Sequence, residues 1–113
     1  MIHTSNFSNV KKLKIEDCIS IAIGTPIWFN GKIYKELQPT WNIVMNHKKG
    51  IITDEEYTKI YYDTVLNKLN PKNVIEKLDT KILLCWCSKN KFCHRQIVSN
   101  WLNNYQQNIC SEI

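Results

Sequence analysis

Nowhere in these 113 residues does an apolar run approach the ~20 residues that cross a bilayer, so no membrane-spanning helix is expected. The opening MIHTSNFSNVKKLK lacks the charged-then-apolar layout of a signal peptide. Disulfide patterning is missing too. The five cysteines are odd in number and irregular in spacing, which points to a reducing cytoplasm. No internal repeat, low-complexity tract or linker interrupts the chain, and its length serves one core, so residues 1–113 read as a single domain. The G-x-G-x-x-G, P-loop and H-E-x-x-H motifs are all absent. No C-x-x-C opens a helix, which argues against a dithiol redox pair.

Arginine is nearly missing. Of fifteen basic residues only Arg95 is an arginine, within a net charge of +5 and a pI near 9.0. The lysines are scattered and accompany abundant Asn and Ile, so the charge reflects base composition as readily as a phosphate-bearing partner. Arg95 differs, because its planar fork suits bidentate contact with phosphate or carboxylate.

What is present reads as an α/β domain with a short, mainly parallel sheet flanked by helices. MIHTS (1–5), CISIAIG (18–24) and KILLCWC (81–87) are strand candidates, the last two apolar on both faces as buried parallel strands are. PTWNIVMNHKKG, TDEEYTKIYYDTVLNKL, PKNVIEKL and CHRQIVSNWLNNYQQ read as helices. Pro39 opens the first and Gly50 closes it, and Thr53 and Glu56 stand in capping-box relation. Tyr57, Ile60, Tyr61, Val65 and Leu69 form one expected stripe, and Ile97, Val98, Trp101, Leu102 and Tyr105 another. The tail NICSEI shows no pattern and is expected to fray.

The segment ILLCWCSKNKFCHRQIVSNWL concentrates the chemistry. Cys85, Cys87, Cys93 and His94 are four legitimate zinc ligands, yet C-x-C on a strand and adjacent Cys-His are unusual spacings, so no metal is assigned. Cys85 reads as core, and Cys87, at the strand's end, as core or site. In a parallel sheet, ligands bind beyond the carboxyl ends of strands, where the next helix starts with free amides and a positive dipole. Cys93, His94 and Arg95 occupy that position, so they are assigned to an anion site, with Cys93 and His94 the catalytic candidates if chemistry occurs. The competing reading has Cys93 packing, His94 capping and Arg95 pairing with a neighbouring carboxylate.

With those residues in view, the chain resembles the domain-of-unknown-function 488 family of bacteria and phages along nearly its whole length. The resemblance is carried by IHTSNFSNVKKL, IAIGTPIWFNG, the Pro-x-Trp helix with its EEY…Y…L successor, and the Cys-bearing strand followed by Cys-His-Arg. It implies a three-layer α/β fold and draws attention to Thr4, Ser5, Pro26, Trp41, Cys85, Cys93, His94 and Arg95. Cys87 departs from the pattern.

If the strands are parallel, their carboxyl ends gather Thr4, Ser5 and Asn6 with Gly24, Thr25, Pro26 and Cys87. Trp28 and Trp41, with Phe29 and Tyr34, stand nearby for a base to stack on. The function expected is binding of a nucleotide-like or other phosphorylated small molecule without a cofactor, such as sequestration of a nucleotide signal by a phage. An enzyme acting on a nucleotide or nucleoside through Cys93 or His94 is the alternative, and a nucleic-acid-binding module the second. Homo-oligomerisation is left open.

Overall fold

The computed structural model describes residues 1–88 and 91–113. The strands are β1 (Ile2–Asn6), β2 (Cys18–Ser20), β3 (Lys32–Ile33), β4 (Ile82–Cys85) and β5 (Cys110–Glu112). They form one sheet in the order β3-β2-β4-β1-β5, and every pairing is parallel. The helices are α1 (Trp41–Lys48), α2 (Asp54–Thr64), α3 (Pro71–Leu78) and α4 (His94–Tyr105). The first three lie in the β3–β4 crossover and α4 in the β4–β5 crossover, as parallel neighbours require long connections.

Local chemistry fixes the helix ends. Thr53 and Glu56 form the reciprocal capping box at α2, with bonds of 2.9 and 3.1 Å. Asn70 caps α3 through Lys72 N–H, and Pro71 fills its first turn. At α1 the cap is Thr40, which accepts from Ile43 N–H, so Pro39 stands just outside the helix instead of opening it. Gly50 follows α1 with φ of +73°, the left-handed value a helix stop uses.

The sheet separates two apolar clusters. Leu83 and Ile19 join the buried faces of all four helices, including Ile43, Tyr57, Tyr61, Val74, Leu78, Ile97, Val98 and Leu102. Ile82, Leu84 and Cys18 join Phe7 and Phe29 in the second. The 3₁₀ segment Phe7–Lys12 and the loop bearing Phe29 supply that third layer. The two expected stripes are trimmed by exposure: Ile60 and Tyr105 face solvent, while Tyr57, Tyr61, Val65, Ile97, Val98 and Leu102 are buried.

Two strands were not expected. Tail residues 110–112 do not fray. They pair with β1 at Ile2↔Cys110, His3↔Ser111 and Thr4↔Glu112, and Asn103 clamps Cys110 with two bonds of 2.9 Å. The edge strand β3 has two exposed residues and leans on Ile19 and Ser20.

Candidate functional site

The three residues that open α4 tie it to the sheet. Cys93 is the N-cap; its backbone N–H donates to Gln96 Oε1 at 3.3 Å, and its side chain is buried in the second cluster. His94 is buried, with Nε2 2.8 Å from the Ile21 carbonyl beyond β2. A carbonyl only accepts, so Nε2 carries the ring proton and Nδ1 keeps its lone pair, 3.7 Å from Cys93 Sγ. Burial pushes the His94 imidazole down to about 4, which keeps it neutral.

Arg95 is wholly buried. Nε and Nη2 hold the Glu112 carboxylate of β5 at 2.9 to 3.2 Å. Nη1 donates to the Cys87 carbonyl at 2.7 Å and reaches Cys85 Sγ at 2.8 Å, and Nη2 donates to the Ser88 carbonyl at 3.2 Å. All of its donors have partners inside the protein. This is the carboxylate-pairing arrangement, so Arg95 holds the site's wall and does not face a guest. A buried guanidinium needs such an enclosure, since an uncompensated one costs several kcal/mol.

Open space lies next to this buckle. A cavity of about 710 Å³ sits beyond the carboxyl ends of β2 and β4. Ala22, Ile23 and Gly24 form one wall; Trp41, Val44, His47 and Lys48 of α1 form another. Tyr57, Phe92 and Lys91 close a third side, and Cys85, Trp86, Cys87, Cys93 and His94 line the remainder. Gly24 carries the rim. Its φ of +72° suits glycine, and a Cβ there would stand 3.0 Å from Trp41 Cη2. Its carbonyl accepts from Trp86 Nε1 at 2.7 Å, so one glycine seats two half-exposed tryptophans. Deeper in, His47 packs on Phe92 and Tyr57 with ring centroids 4.9 and 5.2 Å apart, while its Nε2 pairs with Asp54 at 2.6 Å.

The sulfur atoms differ sharply. Cys87 is half-buried at the cavity edge, and its thiol is drawn down because Cys85 and Cys93 hydrogen-bond to it and Arg95 adds positive charge. The same contacts, with burial, push the Cys93 thiol up. Cys85 moves up to about 11, raised first by its hydrogen bond with the Cys87 thiol and then by burial.

Of the residues assigned from sequence, Gly24, Trp41, Cys87, Cys93 and His94 converge on the cavity. Thr4, Ser5, Asn6, Thr25, Pro26, Trp28 and Arg95 lie outside its lining. Thr4 donates to Glu112, Ser5 to the Ile113 carbonyl, and Asn6 accepts from Ser8, so β5 and the following turn take up the polar end of β1. Thr25 bonds Ser20 at 2.7 Å, Pro26 is buried, and exposed Trp28 packs edge-on against Phe7. Phe29 is core. Lys89 and Asn90 of the expected strand-to-helix loop lie outside the described residues.

Sequence reasoning missed Val44, His47, Lys48, Tyr57, Trp86, Lys91 and Phe92 as cavity residues. A signal for part of this was present: Trp41, Val44 and Lys48 recur at i, i+3 and i+7, one face of α1. No family model, curated protein or solved structure matches the chain.

Proposed function

We propose that this protein binds a nucleotide, or a similar small molecule joining a flat ring to an anionic group, in the cavity beyond β2 and β4. One observation carries the reading: a space of about 710 Å³ whose rim is two tryptophans and whose wall holds Lys48 and Lys91. Pockets for small organic ligands run from about 300 to 1,000 Å³ and combine aromatic walls with a few polar groups. A base fits against Trp41 or Trp86, and a phosphate fits the ammonium groups, which are point charges able to follow a mobile anion.

Binding stands ahead of turnover because the groups first assigned to chemistry are engaged. The Cys93 thiol is buried and pushed up, and His94 has its Nε2 proton on a carbonyl. A protein that captures a nucleotide signal and keeps it intact needs only the walls described. For an extended nucleic acid the enclosing geometry is a poor match, since a strand calls for a long basic groove with serial stacking platforms.

Tryptophan emission reports the cavity directly. Titration with a panel of nucleoside mono-, cyclic mono- and triphosphates should give saturable quenching for at least one member. Replacing Lys48 and Lys91 together with alanine should cut that affinity at least about tenfold, the scale of a charge-assisted contact. If no member of the panel, including its nucleoside controls, binds saturably, the reading is wrong.

A further inference from the structure

We propose that Cys85, Cys93 and His94 hold one tetrahedral zinc-class ion between the end of β4 and the start of α4. The inference goes beyond the small-molecule reading and does not depend on it. The ligand atoms of Cys85, Cys93 and His94 all lie within 4.8 Å of one another. Two sulfurs and one nitrogen make up the shell, and because all three residues also line the cavity, the fourth position is left for water.

Distances support a shared ion. Zinc with Zn–S of about 2.3 Å and Zn–N of about 2.0 Å in tetrahedral geometry gives an S···N edge of about 3.5 Å. Cys93 Sγ and His94 Nδ1 already stand 3.7 Å apart. The histidine also presents the correct nitrogen. With Nε2–H directed at the Ile21 carbonyl, the Nδ1 lone pair faces the sulfurs, and a backbone acceptor behind the ring is how metal-bound histidines are oriented.

Charge is accounted for as well. A divalent ion with two thiolates and a neutral imidazole carries no net charge, so the Arg95–Glu112 pair stays matched, and Arg95 Nη1, 2.8 Å from Cys85 Sγ, donates to that sulfur from behind. Each thiol that enters the shell gives its proton to solvent as the ion sheds water, and no electrons move. Two thiolates and an imidazole select zinc or its spectroscopic surrogate cobalt over hard cations.

The fold answers the objection raised by the adjacent Cys-His spacing. Cys93 is extended at the N-cap while His94 is the first helical residue, and that break lets two neighbours turn toward one point.

The test uses the reduced, metal-free full chain. Titration with Co²⁺ alone should saturate at one ion per chain with the intense absorption of tetrahedral thiolate-bound cobalt, and Zn²⁺ should bleach it. X-ray absorption of the zinc-loaded wild-type protein should show at least two sulfurs and one nitrogen around the metal. Cys93→Ser should weaken cobalt binding at least about 100-fold, while Cys110→Ser, altering a buried cysteine outside the cluster, should leave it unchanged. Because the wild-type spectrum and shell need no variant, misfolding of Cys93→Ser does not remove the test. Absence of uptake, a weak octahedral cobalt spectrum, or a shell of oxygen and nitrogen alone overturns the proposal.

Discussion

At the scale of single residues, Arg95 shows how one side chain can look like a ligand contact and serve the fold instead. Its solitary status marked it as special, and its planar fork is indeed used bidentately, but on Glu112 of the same chain. Removing one member of a buried ion pair leaves the other unpaired, which costs about 3–5 kcal/mol. Glu112 is 26% exposed, so water recovers part of that. Arg95→Ala should therefore lower unfolding free energy by about 3 kcal/mol in urea titration. Glu112→Ala, which strands the wholly buried guanidinium, should cost at least as much, and the double variant should fall short of the sum. Additive losses would mean that the two residues act separately. Gly24 yields a second residue-level expectation. Gly24→Ala forces a side chain into a left-handed conformation, a cost of about 1–2 kcal/mol, and pushes against Trp41. Ligand affinity should drop alongside stability; an unchanged affinity would dissociate the rim from binding.

At the scale of elements, the legible parts of the sequence were those whose stability is local. The capping box at Thr53 and Glu56, Pro71 after its Asn70 cap, and the apolar runs 18–24 and 81–87 each announce an element from within. Thr53→Ala should consequently cost about 1 kcal/mol, measured as a lowered melting temperature, and no change would mean that packing alone holds α2. Segment 110–112 was illegible because its strand character comes from elsewhere. Ser111 and Glu112 have no apolar pattern; β1 supplies the ladder and Arg95 supplies the charge that seats Glu112. A chain ending at Gln107 should lose both at once, so it should unfold at much lower denaturant than the full chain. Equal stability would make β5 ornamental. The site was half legible for a similar reason. Cys-His-Arg was correctly placed at a helix start, whereas the cavity wall on α1 depends on how that helix packs against Tyr57 and Phe92, which spacing alone does not encode.

At the scale of the whole molecule, the sheet order brings the ends of β2 and β4 side by side, and their following segments diverge to α1 and α4. The cavity is the space left between those departures, which is where parallel α/β sheets accept ligands. The buckle at Cys93, His94 and Arg95 makes that space rigid on one side, while α1 lays Trp41 and Lys48 over the other. The most direct measurement is native mass spectrometry of the protein purified without denaturation from the cells that express it, read beside a variant in which Val44→Trp fills the cavity. A bound phosphorylated small molecule, at one per chain on the wild type and missing from the variant, is the result predicted. The same occupancy on both proteins, or a bare wild-type chain that also takes up no nucleotide when one is added, would contradict it.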